Sequence, residues 1–279
     1  MGSWKTHPLT RTFNRYLTAW QRNRPRRIRR RVLDFPPLAS EPHARSLVVL
    51  CEADKFLDGC WCAWSWLRYV QPWLRLRLFV DGEVNAENRA AFTRLFPYGE
   101  IVSLPAYLAT QPAPAPNFRA LLDHYKYARK LAMILHLQRA GSFLYCDSDV
   151  LALRRPEALL ERIERGSPDA FMVDQGHPCV DPWIRERARM LGLPCCDALN
   201  SGLLWIAENS LDATLVERLL EGWSPAVYNH FSEQTILAVL LPSAGAEPLP
   251  SAEYLLNARG MFFYERDVPC EEIDRKSVV

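Results

Sequence analysis

From residue 46 onward the chain alternates short apolar runs with longer amphipathic segments, and this rhythm narrows the possible folds more than any other feature. The segment 46–52 (SLVVLCE) reads as a buried strand and 56–70 (FLDGCWCAWSWLRYV) as a helix. A second strand follows at 75–81 (RLRLFVD), apolar residues at helical spacing at 85–96, and a third strand at 100–105 (EIVSLP). Strand-helix-strand-helix-strand is the order of an α/β protein with a mainly parallel sheet. Three prolines in TQPAPAPN, 110–117, mark a loop or lid element. A strongly amphipathic helix then spans 124–141, ended by Gly141, with the strand SFLYC directly behind it. The second half is more mixed, with helices at 156–166, 182–192, 212–223 and 232–241, strands at 169–174 and 200–207, and a polar loop at 175–182. The expectation is one α/β domain, 46–279, with a mixed, mainly parallel sheet and helices on both faces, preceded by an extension, 1–45.

Charge separates the extension from the domain. Residues 1–33 hold ten Lys/Arg and no Asp/Glu, so the remainder carries 24 Lys/Arg against 32 Asp/Glu, and the net charge of +2 hides a domain of −8. The run RNRPRRIRRR, with Phe13, Tyr16 and Trp20 nearby, suits peripheral contact of residues 11–31 with an anionic membrane; a docking helix or a solvated extension reads equally well, and nucleic acid is the less favoured partner. No apolar run approaches the ~18 residues that span a bilayer, and no apolar signal segment opens the chain, which points to a cytoplasmic protein. Eight cysteines include no C-x-x-C pair, and several sit in apolar runs as buried thiols do. Cys60/Cys62 and Cys195/Cys196 lack metal-site spacing, so a zinc site is not expected and a reducing compartment suits them.

The most informative polar residues interrupt an apolar stretch. In FLYCDSDVLAL, 143–153, Asp147 and Asp149 fall where the strand would end, and ligands of open α/β sheets bind beyond the carboxyl ends of strands. Alternate strand residues share a face, so in a continued strand the two carboxylates would form a ligand pair for a hard divalent cation, Mn2+ or Mg2+, that also takes phosphate oxygens. D-x-D alone is common in surface turns. The flanking apolar runs strengthen the reading, because two uncompensated acids between buried segments are costly unless something neutralises them.

Taken in order, these segments resemble nucleotide-sugar glycosyltransferases of the GT-A fold, particularly the glycogenin and lipopolysaccharide galactosyltransferase-like group, over most of 46–279. CEADKFLDGCWCAWSWL is similar to that family's first strand end and helix, which implies that Asp54 and Phe56 hold the nucleotide. ARKLAMILHLQRAGSFLYCDSDVLAL resembles the family's K-L helix and D-x-D strand, with Lys130 in the place of a lysine that contacts the donor phosphates. VDQGHP and CDALNSGLLWI are similar to the D-x-G-x-P and N-S-G segments, with Asp174 and Asn200 at matching positions and an extra stretch, 178–196, between them. FSEQTILAVL resembles the segment whose Asp-Gln pair lies beneath the sugar; here the pair is Glu233-Gln234, one methylene longer where position matters. LPSAEYLLNAR ends in Asn257 much as the family's Leu-Pro…Tyr-Asn does. The family's late His-x-x-Gly-x-x-Lys segment, which supplies a third metal ligand, has no counterpart before EIDRKSVV; the sequence reads as a truncated fragment or as a protein that has lost the motif. His177 and His230 lack metal-ligand spacing to the acids.

What the resemblance implies is transfer of a sugar from a nucleoside diphosphate donor, UDP foremost, to a glycan, lipid-linked or protein hydroxyl, with retention of configuration. Asp147 and Asp149 would hold Mn2+ or Mg2+ on the diphosphate, and Asn200, Glu233 and Gln234 would orient the sugar and stabilise its cation-like anomeric centre. The alternative is a nucleotide-sugar-binding protein of the same fold with little turnover. A haloacid dehalogenase-type phosphatase is a further one, although there D-x-D opens the chain and runs into a Gly-Thr or similar turn.

Overall fold

A computed structural model describes residues 29–39, 43–174, 178–224 and 232–254. Expectations that fall on most of the basic leader, on His177, His230 and Asn257, and on the final segment lie outside the described residues. Seven strands form one sheet: β1 (Ser46–Glu52), β2 (Arg75–Asp81), β3 (Glu100–Ser103), β4 (Phe143–Asp147), β5 (Ala170–Val173), β6 (Leu199–Ile206) and β7 (Glu247–Pro248), in the order β3-β2-β1-β4-β6-β5-β7. β3, β2, β1 and β4 run parallel; β6 runs antiparallel to both β4 and β5, and β5 is parallel to β7. The sheet is therefore mixed and mainly parallel.

The helices are α1 (Phe56–Val70), α2 (Ala86–Leu95), α3 (Leu104–Ala109), α4 (Pro116–His124), α5 (Ala128–Leu137), α6 (Glu157–Arg165), α7 (Pro182–Met190), α8 (Ala213–Leu220) and α9 (Ser232–Ser243). Several begin where a short polar side chain can accept an orphan N–H: Asn85 from Asn88 at 2.8 Å, Asp181 from Trp183 at 2.8 Å and Asp212 from Thr214 at 2.8 Å. Three local expectations shift. The strand expected over 100–105 stops at Ser103, whose hydroxyl caps α3 with Pro105 in its first turn. The proline segment 110–117 is loop only as far as Ala115, because Pro116 opens α4 and the Glu217 carboxylate on α8 accepts from Asn117 N (2.9 Å) and Phe118 N (3.1 Å). The helix expected over 124–141 is α5 alone, since a turn at Tyr125–Tyr127 separates it from α4.

Strand residues alternate between two cores. Val48, Phe79, Phe143 and Tyr145 face α3, α4, α5, α7, α8 and α9, whereas Leu47, Val49, Leu78, Leu144 and Cys146 face α1, α2 and α6. α9 is buried nearly all round, as a helix apolar on every side must be. Residues 29–38, which charge assigned to the extension, pack on the α1 side: Val32 is fully buried, the Phe35 ring sits 4.8 Å from Trp61 and 4.6 Å from Trp64, and Leu38 N donates to Leu95 O at 2.8 Å. Among the described residues no helix is long and apolar enough to cross a membrane.

Candidate functional site

β4 carries Phe143, Tyr145 and Asp147 toward α5 and α9, so the two-residue period that buries the first two delivers a carboxylate at the strand's end. The chain then turns, with Val150 N donating to Asp147 O at 3.1 Å. Asp149 thus leaves the strand rather than continuing it, and the shared-face argument made from spacing does not apply. α1 fixes this turn from behind: Trp66 Nε1 donates to Val150 O (3.0 Å), Ser65 Oγ accepts from Ala152 N (3.0 Å), and Arg68 Nη2 donates to Ala152 O (2.9 Å) and Leu153 O (3.2 Å). Asp147 and Asp149 open into a cavity of about 960 Å³ at the carboxyl ends of β1, β2 and β4.

Beneath Asp147 lies a buried polar knot. Lys130, on the first turn of α5 and 6% exposed, places Nζ 3.1 Å from both Asp147 Oδ1 and Oδ2, 3.1 Å from Ser201 Oγ and 3.8 Å from Glu233 Oε1. The Tyr145 hydroxyl donates to Asp147 Oδ1, and its ring lies 4.8 Å from the ammonium. Ser201 Oγ is 3.2 Å from Glu233 Oε1 and 3.1 Å from Gln234 Oε1, and Gln234 Oε1 also accepts from Ser201 N at 3.1 Å. Tyr125 OH reaches Glu233 Oε2 at 3.5 Å. Burial raises the Glu233 carboxyl above the ordinary carboxylate range, the Lys130 charge opposes this, and Asp147 adds to it. Asp149 is raised too, by desolvation in the cleft first and by the charge of Asp147 second, with part of its surface still open to solvent.

An irregularity in β6 brings Ser201 here. Phe171 pairs with Leu204 and Met172 with Asn200, leaving Ser201, Gly202 and Leu203 without a partner on β5. Such a bulge re-aims side chains, and sheets place bulges beside binding sites. Asn200 Oδ1 accepts from Gly202 N at 2.8 Å, and a Cβ on Gly202 would lie 2.9 Å from Asn200 Oδ1 and 3.4 Å from Asp147 Oδ2. A side chain there would press on the Asn200 amide, while Asp147 would stay at ordinary contact distance.

No family model matches the chain, and no curated protein matches its sequence. Solved structures do match. The galactosyltransferase LgtC, in complex with donor and acceptor sugar analogues, superposes with a TM-score of 0.50 at 14% identity over 84% of each chain, and an active-site mutant of LgtC with a TM-score of 0.51 at 14% identity over the same shares. Mouse xyloside xylosyltransferase 1 gives 0.47 at 12% identity, over 82% of this chain and 91% of its own. The chain has the GT-A glycosyltransferase fold.

Within this GT-A fold the structure brings Lys130, Asp147, Asp149, Asn200, Glu233 and Gln234 around one cavity. It does not bring Asp54, Phe56 or Asp174 to the lining. Phe56 is 1% exposed and its ring packs on Phe92 in the α1-side core, so it has no face to offer a base. Asp54 sits in a short 3-10 turn, Ala53–Lys55, and Asp174 N donates to Ala198 O (2.7 Å) beside the start of β6. Sequence reading missed Ser201, Tyr125 and Tyr145, together with a wall of ion pairs: Lys126 and Lys55 on Glu52, Arg129 on Asp81 (2.9 Å) and Arg29 on Asp58 (2.8 Å). Glu52 and Asp81 end β1 and β2, and that shared position was the available signal.

Proposed function

We propose that this GT-A protein transfers a sugar from a nucleoside diphosphate donor, UDP foremost, to a hydroxyl acceptor, using Mn2+ or Mg2+ held by Asp147 and Asp149. The observation that carries the reading is the buried Lys130–Ser201–Glu233 knot under an acid at the end of β4, in a cavity wide enough for a nucleotide sugar. The donor set is all oxygen, which suits a hard cation that completes its shell with phosphate and water. When bound, the cation would neutralise charge on the departing diphosphate. The protein's own part is to hold Asp147 with Lys130 and Tyr145, and to set Glu233, Gln234 and Asn200 where the sugar would rest. Retention of configuration rests on the resemblance alone.

The test is a panel of nucleotide sugars with Mn2+ or Mg2+, read by release of nucleoside diphosphate. We expect turnover with one donor class, and a fall of about 100-fold or more in Asp149→Asn. If the chain turns over no donor and binds no nucleoside diphosphate, the reading fails. Release of phosphate from simple phosphomonoesters would favour the phosphatase instead.

A further inference from the structure

We propose that Lys130 is a positioning residue: it ties Glu233 to Asp147 through Ser201 and makes no contact with the donor diphosphate. This rests on the transferase reading above and departs from the role that the resemblance gives the lysine. An ammonium has three N–H donors and no acceptor. Those of Lys130 face the Asp147 carboxylate, the Ser201 hydroxyl and Glu233, and the Tyr145 ring lies against the same group. Its side chain is 7% exposed, so a phosphate could reach it only by displacing one of these partners.

The ammonium also sets the direction of the network. Ser201 can only accept from Lys130, so its single proton must go to Glu233 Oε1 or Gln234 Oε1. The backbone N–H of Ser201 fixes Gln234 Oε1 on the same spot. Four elements, β4, α5, β6 and α9, thus meet on one hydroxyl and one ammonium. Among the described residues that line the cavity, the cations left for an anion are those of the wall. Arg129 is 43% exposed and spends a single nitrogen on Asp81, Lys126 is 53% exposed and Lys55 52% exposed.

The experiment uses the full chain with Lys130→Met, Ser201→Ala, Ser201→Thr and Arg129→Met. UDP binding without and with Mn2+ is read by calorimetry, and kcat and donor KM are read separately. Ser201→Ala should lower kcat about 10- to 100-fold while UDP affinity and KM stay within about threefold, and Ser201→Thr should restore kcat. Lys130→Met should spare the metal-free UDP affinity, which a phosphate-contacting lysine would not, whereas Arg129→Met should weaken it about tenfold. Loss of metal-free UDP affinity of tenfold or more in Lys130→Met, or an unchanged kcat in Ser201→Ala, overturns the proposal. A readout that needs no donor is the urea midpoint of Lys130→Met, Glu233→Gln and the double variant. The tie predicts that Glu233→Gln recovers part of the loss caused by Lys130→Met, and strict additivity overturns it. If wild type binds no UDP while this coupling is present, the transferase reading fails and the tie stands.

Discussion

A single methyl group is a sharp probe of this site. Gly202→Ala would push against Asn200 Oδ1, and overpacking of this kind costs about 1–3 kcal/mol. We expect a lower denaturation midpoint together with a raised donor KM; a variant that shows neither would mean that the Asn200 amide has room to move. At this scale the sequence was legible only where one residue carries its own chemistry. Asp147, Lys130 and the Glu233-Gln234 pair could be picked out from the resemblance and do meet around one cavity. Ser201 could not, because a serine becomes a junction only when β6 bulges beside α5 and α9, and the partners it joins, Lys130 and Glu233, lie 71 and 32 positions away in the sequence. Phe56 misled for the converse reason. An aromatic at a helix start fits a base platform and a core equally well, and here packing on Phe92 decides for the core.

At the scale of elements, α1 is the scaffold of the Asp147–Val150 turn. Trp66→Phe would leave Val150 O without its buried donor, at a cost of about 1–3 kcal/mol, and should loosen the turn that presents Asp149. Urea denaturation and UDP binding, measured on the same variant, should both weaken. On α5, His136 gives a pH signature. Desolvation first and Arg139 second hold its imidazole below the ordinary 6.5, and Nδ1 has no partner. The unfolded chain therefore binds the proton more readily, so this residue's contribution is intact above pH 6.5 and is lost as pH falls through the lowered folded value. His136→Gln should flatten that part of the difference in melting temperature between about pH 7.5 and about pH 5.5; an unchanged difference would refute it. Strands β1, β2 and β4 were readable because apolar runs of that length between helices have one use in an α/β protein. The ends of α4 and α5 were not, because a distant carboxylate, Glu217, caps α4 and a turn of three aromatic and basic residues, Tyr125–Tyr127, separates α4 from α5.

For the whole molecule, the basic leader and the domain are joined by a docked segment. Val32 and Phe35 bury against α1, and each such side chain stabilises by roughly 1.5–3 kcal/mol when fully buried, less for Phe35 since it is only partly covered. Removing residues 1–38 should lower the melting temperature further than removing 1–28 does, because only the longer deletion takes away Val32 and Phe35. The seven Lys/Arg that removing 1–28 takes away would, on the charge argument, draw the full chain to anionic vesicles in a salt-sensitive way. Co-sedimentation with phosphatidylserine vesicles, before and after deleting 1–28, checks this, and equal pelleting by the two chains would refute it.

One feature of the sheet reaches beyond the present site. Because β6 runs against β4 and β5, it is the start of this strand that borders the cavity, while its neighbours β1, β2 and β4 arrive there by their ends. The stretch 178–196 feeds directly into that start, and its base is closed by Cys179 N donating to Asp197 O at 2.9 Å and by Cys196 N donating to Ala238 O at 2.8 Å. A lobe closed at its base can lengthen, shorten or change sequence without disturbing a single strand pairing. The exposed positions of this lobe can therefore vary while the strands and the cavity they border stay as they are, whereas Ile184 and Ala188, buried in the core shared with α9, cannot.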